Sequence, residues 1–269
     1  MHSDQYPIAE LYWALLDYRG ADVYSDLLAP WLNKQLEVRH WIQEFETRSS
    51  SDWTVATEED LWMLYALSRV TSTLLLCFQT RREGQREVPS PSLTVDDFQQ
   101  FHEQLGFQVV SPQEYHPFFH EILDVTPTED AQSPIRVKQC DWPCLMLDNM
   151  LFLRAGCAIT GGASHVVKET AENSKLYWTF CRLDRPHDDL SHGWGHNSQW
   201  RTSFRRDYHV NGEYHFNVDA SHSLNEPNCS VEEVSPAVMV ELVRNRCVIR
   251  TSIADGDLYP YEYSWTEST

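Results

Sequence analysis

The chain has 269 residues, with 40 acidic against 21 basic side chains and a formal charge of −19. That balance excludes a surface that binds nucleic acid non-specifically, which needs clustered Lys and Arg. A hydrophobic content of 42% with ten Trp excludes a disordered acidic tail.

Residues 1–7 carry neither a basic n-region nor an apolar h-region, so no secretory signal is expected. Ile8, Leu11, Tyr12, Leu15 and Leu16 form a helical stripe that Gly20 is placed to stop. Pro30 suits the first turn of a second helix, whose apolar face runs from Trp31 to Phe45 before Ser49-Ser50-Ser51 breaks it. Thr57, followed by Glu58, Glu59 and Asp60, is the clearest helix start in the chain. The helix it opens, over 61–78, is apolar nearly all round, which predicts a buried central helix. Ser68, Arg69 and the polar run 71–73 interrupt it, so no stretch approaches the length of a membrane span.

Thr94 caps a shorter helix bearing Phe98, Phe101, His102 and Leu105, ended by Gly106. Pro117 is expected to start an amphipathic helical segment that docks Phe118, Phe119, Ile122 and Leu123. Residues 125–134 are rich in Pro, Ser, Thr and acidic side chains, and suit a boundary between halves. Beyond them the pattern changes. The runs 135–137, 151–153, 176–180 and 214–218 are aromatic or β-branched and separated by turn residues, as strands are. Ser235-Pro236 opens a last helix, and 247–249 either ends it or begins another strand. The expectation is an α+β fold: a largely helical, acidic region 1–130, then a mostly antiparallel β-rich region 131–269. These are either two units or one composite domain.

The charge is unevenly placed, with 22 acidic and 8 basic side chains in 1–130, a net −14, and only −5 in the remainder. An acidic face of this kind either keeps the protein soluble or steers a basic partner. Six of the twelve histidines fall between 187 and 222. Asp184, His187, Asp188, Asp189, His192 and His196 together offer donors that suit Zn, Fe or Mn, with Asp184, His187, His192 and His196 the candidate ligands. His192, His196 and Asp188 are the candidate catalytic groups. The spacing matches neither H-E-x-x-H nor a C-x-x-C pair, and hydrogen-bonded turns would use the same residues.

Arg201, Arg205 and Arg206 follow, the densest cationic spot in an acidic chain and a candidate site for an anionic small ligand. Intramolecular ion pairs are the competing role. The segment with His116 and His120 would gain interest only if His120 lies close to His192 or His196. Cys140 and Cys144 lack redox or zinc-knuckle spacing, and a zinc site would need Cys157 or Cys181. Otherwise the seven cysteines read as buried free thiols in a cytoplasmic protein. No phosphate-loop or dinucleotide motif is present. The leading expectation is an acidic cytoplasmic protein that neutralises a basic protein partner, as antitoxins and immunity proteins do, without cofactor or membrane. The rival is a metal-dependent hydrolase or oxygenase built on 184–201.

Overall fold

A computed structural model of the chain describes residues 6–79, 92–183, 185–191, 200–227, 229, 234–252 and 258–269. The helical first part comprises α1 (Tyr6–Asp17), α2 (Ala29–Lys34), α3 (Leu36–Ser51), α4 (Glu58–Leu75) and α5 (Val95–Leu105), with a π-helical turn at Tyr24–Leu28. Local chemistry explains several boundaries. Thr57 and Thr94 each accept the N3 amide while Asp60 and Asp97 reach back to the cap amide, two reciprocal capping boxes. Gly106 ends α5 at φ 109°, a conformation that costs glycine no Cβ clash.

The expected single helix after Pro30 is instead two. Gln35, at φ −99° and ψ 62°, breaks the chain between α2 and α3. The break lets Trp31 and Leu32 on α2 be buried as well as Val38, Ile42 and Phe45 on α3. Three hydrogen bonds tie α3 to the start of α4. Arg48 forks onto Asp60 at 2.8 and 2.9 Å, and the Trp41 indole donates to the same carboxylate at 3.0 Å.

The strands are β1 (Gln108–Val110), β2 (His120–Pro127), β3 (Arg136–Trp142), β4 (Cys144–Leu147), β5 (Met150–Leu153), β6 (Ala155–Gly161), β7 (Leu176–Tyr177), β8 (His187–Asp188), β9 (Asp207–Val210), β10 (Glu213–Phe216), β11 (His222–Ser223) and β12 (Tyr263–Ser268). Helix α6 (Lys168–Asn173) precedes β7, and α7 (Pro236–Asn245) precedes β12. A seven-stranded sheet runs β1-β4-β5-β9-β10-β12-β11, a three-stranded sheet β2-β6-β3, and β7 pairs with β8. The fold is α+β with its helices mainly N-terminal. Its sheets are mixed, because β2–β6, β11–β12 and β7–β8 are parallel while the remaining pairs are antiparallel.

The helix expected from Pro117 is not formed. A turn at His116–His120 leads directly into β2, with the amides of Phe119 and His120 both donating to the His116 carbonyl at 3.0 Å. Pairing with β6 overrides the local spacing, and Phe118, Ile122 and Val125 are buried from a strand rather than a helix. Both β1 and β2 precede residue 130, yet pair with β4 and β6.

The large sheet separates two cores. In β4, Leu145 and Leu147 face a cluster shared with α1 to α5, while Cys144 and Met146 face a second cluster containing Met239, Leu242 and Val243 of α7. This is the period-2 alternation of a strand buried on both faces.

Candidate functional site

A buried pocket lies between α4 and the segments at the start of β2, after β5 and before β9. Tyr65, Ser68, Thr71 and Ser72 of α4 form one wall. Glu121 of β2, Arg154 between β5 and β6, Arg182, Arg205 and Arg246 supply the charge. Each of these five side chains belongs to a residue less than a tenth exposed. The cavity holds about 50 Å³, room for a few waters at about 10–15 Å³ each or for one small anionic group.

The four guanidinium groups are unequally compensated. Arg182 forks onto Glu121, with Nε and Nη2 both donating at 2.8 Å. Asp207 is shared: it accepts from Arg205 Nε at 2.8 Å, from Arg246 Nη2 at 2.9 Å and from the Asn217 amide at 2.7 Å. Arg154 has no carboxylate at ion-pair distance among the described residues, and its Nη1 donates to the Asn245 carbonyl at 2.7 Å. Arg205 Nη2 donates to the Val243 carbonyl at 2.6 Å. Both arginines therefore occupy carbonyls at the negative end of the α7 dipole. In these groups three buried donors have no partner among the described residues: Arg154 Nη2, Arg205 Nη1 and Arg246 Nε.

Charge and burial act on each group in a defined direction. Burial, with the Arg246 charge added, pulls Arg154 down to about 10. Burial also outweighs Asp207 at Arg205, and with Arg246 and Arg154 nearby brings it down to about 9. Both remain cations near neutral pH. Burial opposes ionisation of Glu121, but Arg182, then Arg154 and Arg185, hold it down to about 2.

The frame around these groups is aromatic and in places strained. Arg205 lies 4.1 Å from the centre of the Trp178 ring. On the helical side Arg69 sits among Tyr12, Phe180 and Trp200, at 4.8, 4.1 and 4.4 Å from the ring centres. Trp178 and Arg246 adopt φ of 54° and 61°, each at a cost of about 1–2 kcal/mol for an L-residue. Strain of this kind gathers where the surroundings over-determine a site.

The three candidate arginines of the sequence point to different places. Arg205 lines the pocket. Its neighbour Arg206 forks onto Asp219 at 2.5 and 2.8 Å and also donates to the Trp53 and Thr54 carbonyls and the Tyr208 hydroxyl. That leaves Arg206 as an internal tie. Arg201 is exposed and lies 5.2 Å from the Trp62 ring centre. His187 and Asp188 form β8, with His187 Nδ1 3.3 Å from the Arg185 carbonyl. The Tyr261 phenol is pushed up by burial and by Asp188. Asp184, His192 and His196 lie outside the described residues.

Among the described residues one group could hold a metal: His120, Cys140 and Cys157, whose ligand atoms lie within 4.8 Å of one another. His120 is already engaged on both nitrogens. Nδ1 is 3.1 Å from the His116 amide and carbonyl, and Nε2 is 3.2 Å from the Pro112 carbonyl. A cation would have to replace one of those contacts.

Arg154, Arg182, Arg246 and Glu121 were not singled out from the sequence, because they lie far from one another along the chain. One signal was available. Arg154 interrupts the otherwise apolar run 150–159, where an arginine that stays in a strand core must find a buried counter-charge. Comparison of the chain with protein-family models, curated proteins and solved structures gives no match.

Proposed function

We propose that this protein binds a small anion, through a carboxylate or another oxyanion head group, in the pocket formed by Arg154, Arg182, Arg205 and Arg246. The observation that carries it is Arg154: buried, cationic and without a carboxylate, beside two other guanidinium groups that also keep an unpartnered donor. A buried uncompensated charge is expensive. An anion that accepts from Nη2 of Arg154, Nη1 of Arg205 and Nε of Arg246 would satisfy donors and charge together. Planar guanidinium forks suit the paired oxygens of such a group. The small volume limits what enters to the head group, with the rest of any ligand directed outward.

Isothermal titration with inorganic phosphate, acetate and succinate, at matched ionic strength, tests this. Saturable one-to-one binding of at least one of them, lost in Arg154→Met, is the expected result. Heats that are absent for all three, or unchanged in the variant, would overturn it.

A second role has its own support. Trp13 and Leu16 are 49% and 40% exposed on α1, beside exposed Glu10 and Asp17. Apolar anchors within an acidic surface suit a basic protein partner, and the seven unbridged cysteines suit a reducing, cytoplasmic setting. Retention of a partner that weakens as salt is raised would support this role; retention indifferent to salt would exclude it.

A further inference from the structure

Away from the arginine pocket, Cys140 and Cys157 face each other across β3 and β6. They are direct antiparallel partners, and their sulfurs are 2.6 Å apart. Facing residues in such a ladder have Cα atoms about 4.5–5.5 Å apart, inside the roughly 4.4–6.8 Å that a disulfide bridges. The register shifts on both sides of Cys140, between Val137 and Gln139 and between Cys140 and Trp142. Such bulges re-aim a side chain and loosen the ladder around it. β3 is also the edge of its sheet.

The two thiols have unlike surroundings. Cys140 is exposed and Cys157 is buried. The hydrogen bond from Cys157 lowers the Cys140 thiol, while that same contact, with burial, raises Cys157. An accessible thiol in contact with a shielded one is the arrangement of an attacking and a resolving cysteine. Of the other buried thiols, Cys247 donates to the Asn245 carbonyl, and neither it nor Cys144 has a sulfur hydrogen-bond partner among the described residues.

We propose that Cys140 and Cys157 form a dithiol site that a small-molecule disulfide converts reversibly into a cross-strand disulfide, with Cys140 attacking and Cys157 resolving. With glutathione disulfide as oxidant, the Cys140 thiolate attacks one glutathione sulfur, breaking its S–S bond and releasing one glutathione thiolate. Cys157 then attacks Cys140 Sγ, forming the Cys140–Cys157 bond, and the second glutathione leaves with the Cys157 proton. Two protein thiols are oxidised and one glutathione disulfide becomes two glutathione thiols.

Reduced protein is treated with glutathione disulfide, alkylated, digested and mapped by mass spectrometry. The expected product is a Cys140–Cys157 linked peptide that dithiothreitol reverses. Cys157→Ser should hold glutathione on Cys140, and Cys140→Ser should slow thiol loss at least tenfold. The wild-type peptide map needs no variant to fold, and it overturns the proposal on its own if glutathione persists on Cys140 or if the link joins any other pair. Zinc supplies the remaining arm. One tightly held equivalent that protects both thiols from glutathione disulfide would also overturn the proposal, in favour of a metal site that includes His120.

Discussion

Replacing Arg154 by methionine keeps the length of the side chain and removes its charge. Arg154 is held at about 10 rather than its ordinary 12.5, and at about 1.4 kcal/mol per unit its buried charge costs the folded state about 3 kcal/mol. That cost is constant across the neutral range, since the group is protonated well below 10, and it is relieved only as the pH rises through 10 to 12.5. Against it stands the bond to the Asn245 carbonyl, a charged hydrogen bond worth about 2 kcal/mol. In anion-free buffer Arg154→Met should therefore be about 1 kcal/mol more stable than wild type, a rise in Tm of roughly 2 °C. Anion at a hundred times its Kd should stabilise wild type by about 2.7 kcal/mol, or roughly 5 °C, and leave the variant unmoved. The two melting temperatures then exchange order. Differential scanning calorimetry with and without the anion, at fixed ionic strength, reads both. A variant that loses more than about 2 kcal/mol without anion, or an anion that raises both proteins equally, would refute the reasoning.

Glu121→Gln leaves Arg182 without its buried partner, so stability should fall by about 3–5 kcal/mol while the more cationic pocket binds anion more tightly; urea melts and titration calorimetry give the two opposed signs. Asp60 is buried, which alone would raise it, but the Arg48 fork with Thr57 and Trp41 holds it down to about 2. Its contribution of about 2 kcal/mol is complete above pH 4 and lost as the pH falls from about 4 to 2. The gap in urea midpoint between wild type and Asp60→Asn should narrow over that interval. Gly156→Ala would place a methyl 2.3 Å from the Trp142 ring; we expect a loss of about 1–3 kcal/mol with a shift in Trp fluorescence.

Local chemistry was the legible part of the fold. Thr57 and Thr94 announce their helices because a cap needs only the next three residues. The 117–123 segment misleads for the opposite reason: its apolar spacing fits a helix, and the partner that makes it a strand is β6, more than thirty residues later. At the site, Arg205 and Arg206 are equal as letters. Successive side chains of an extended segment point opposite ways, so one reaches the pocket and the other reaches Asp219. Arg154, Arg182 and Arg246 come from separate turns and a helix end, and a cluster assembled only by folding leaves no run of letters behind.

The placement of β1 and β2 also bears on how the protein would respond to a protease. Both strands belong to the stretch before residue 130 but are inserted into ladders completed by β4 and β6. A cut in the exposed turn near Glu129 and Asp130 would yield two pieces clasped through donated strands and a shared core. Nicked protein would keep its shape in native buffer and separate only in denaturant, so chain continuity at that turn matters less than the ladders on either side of it.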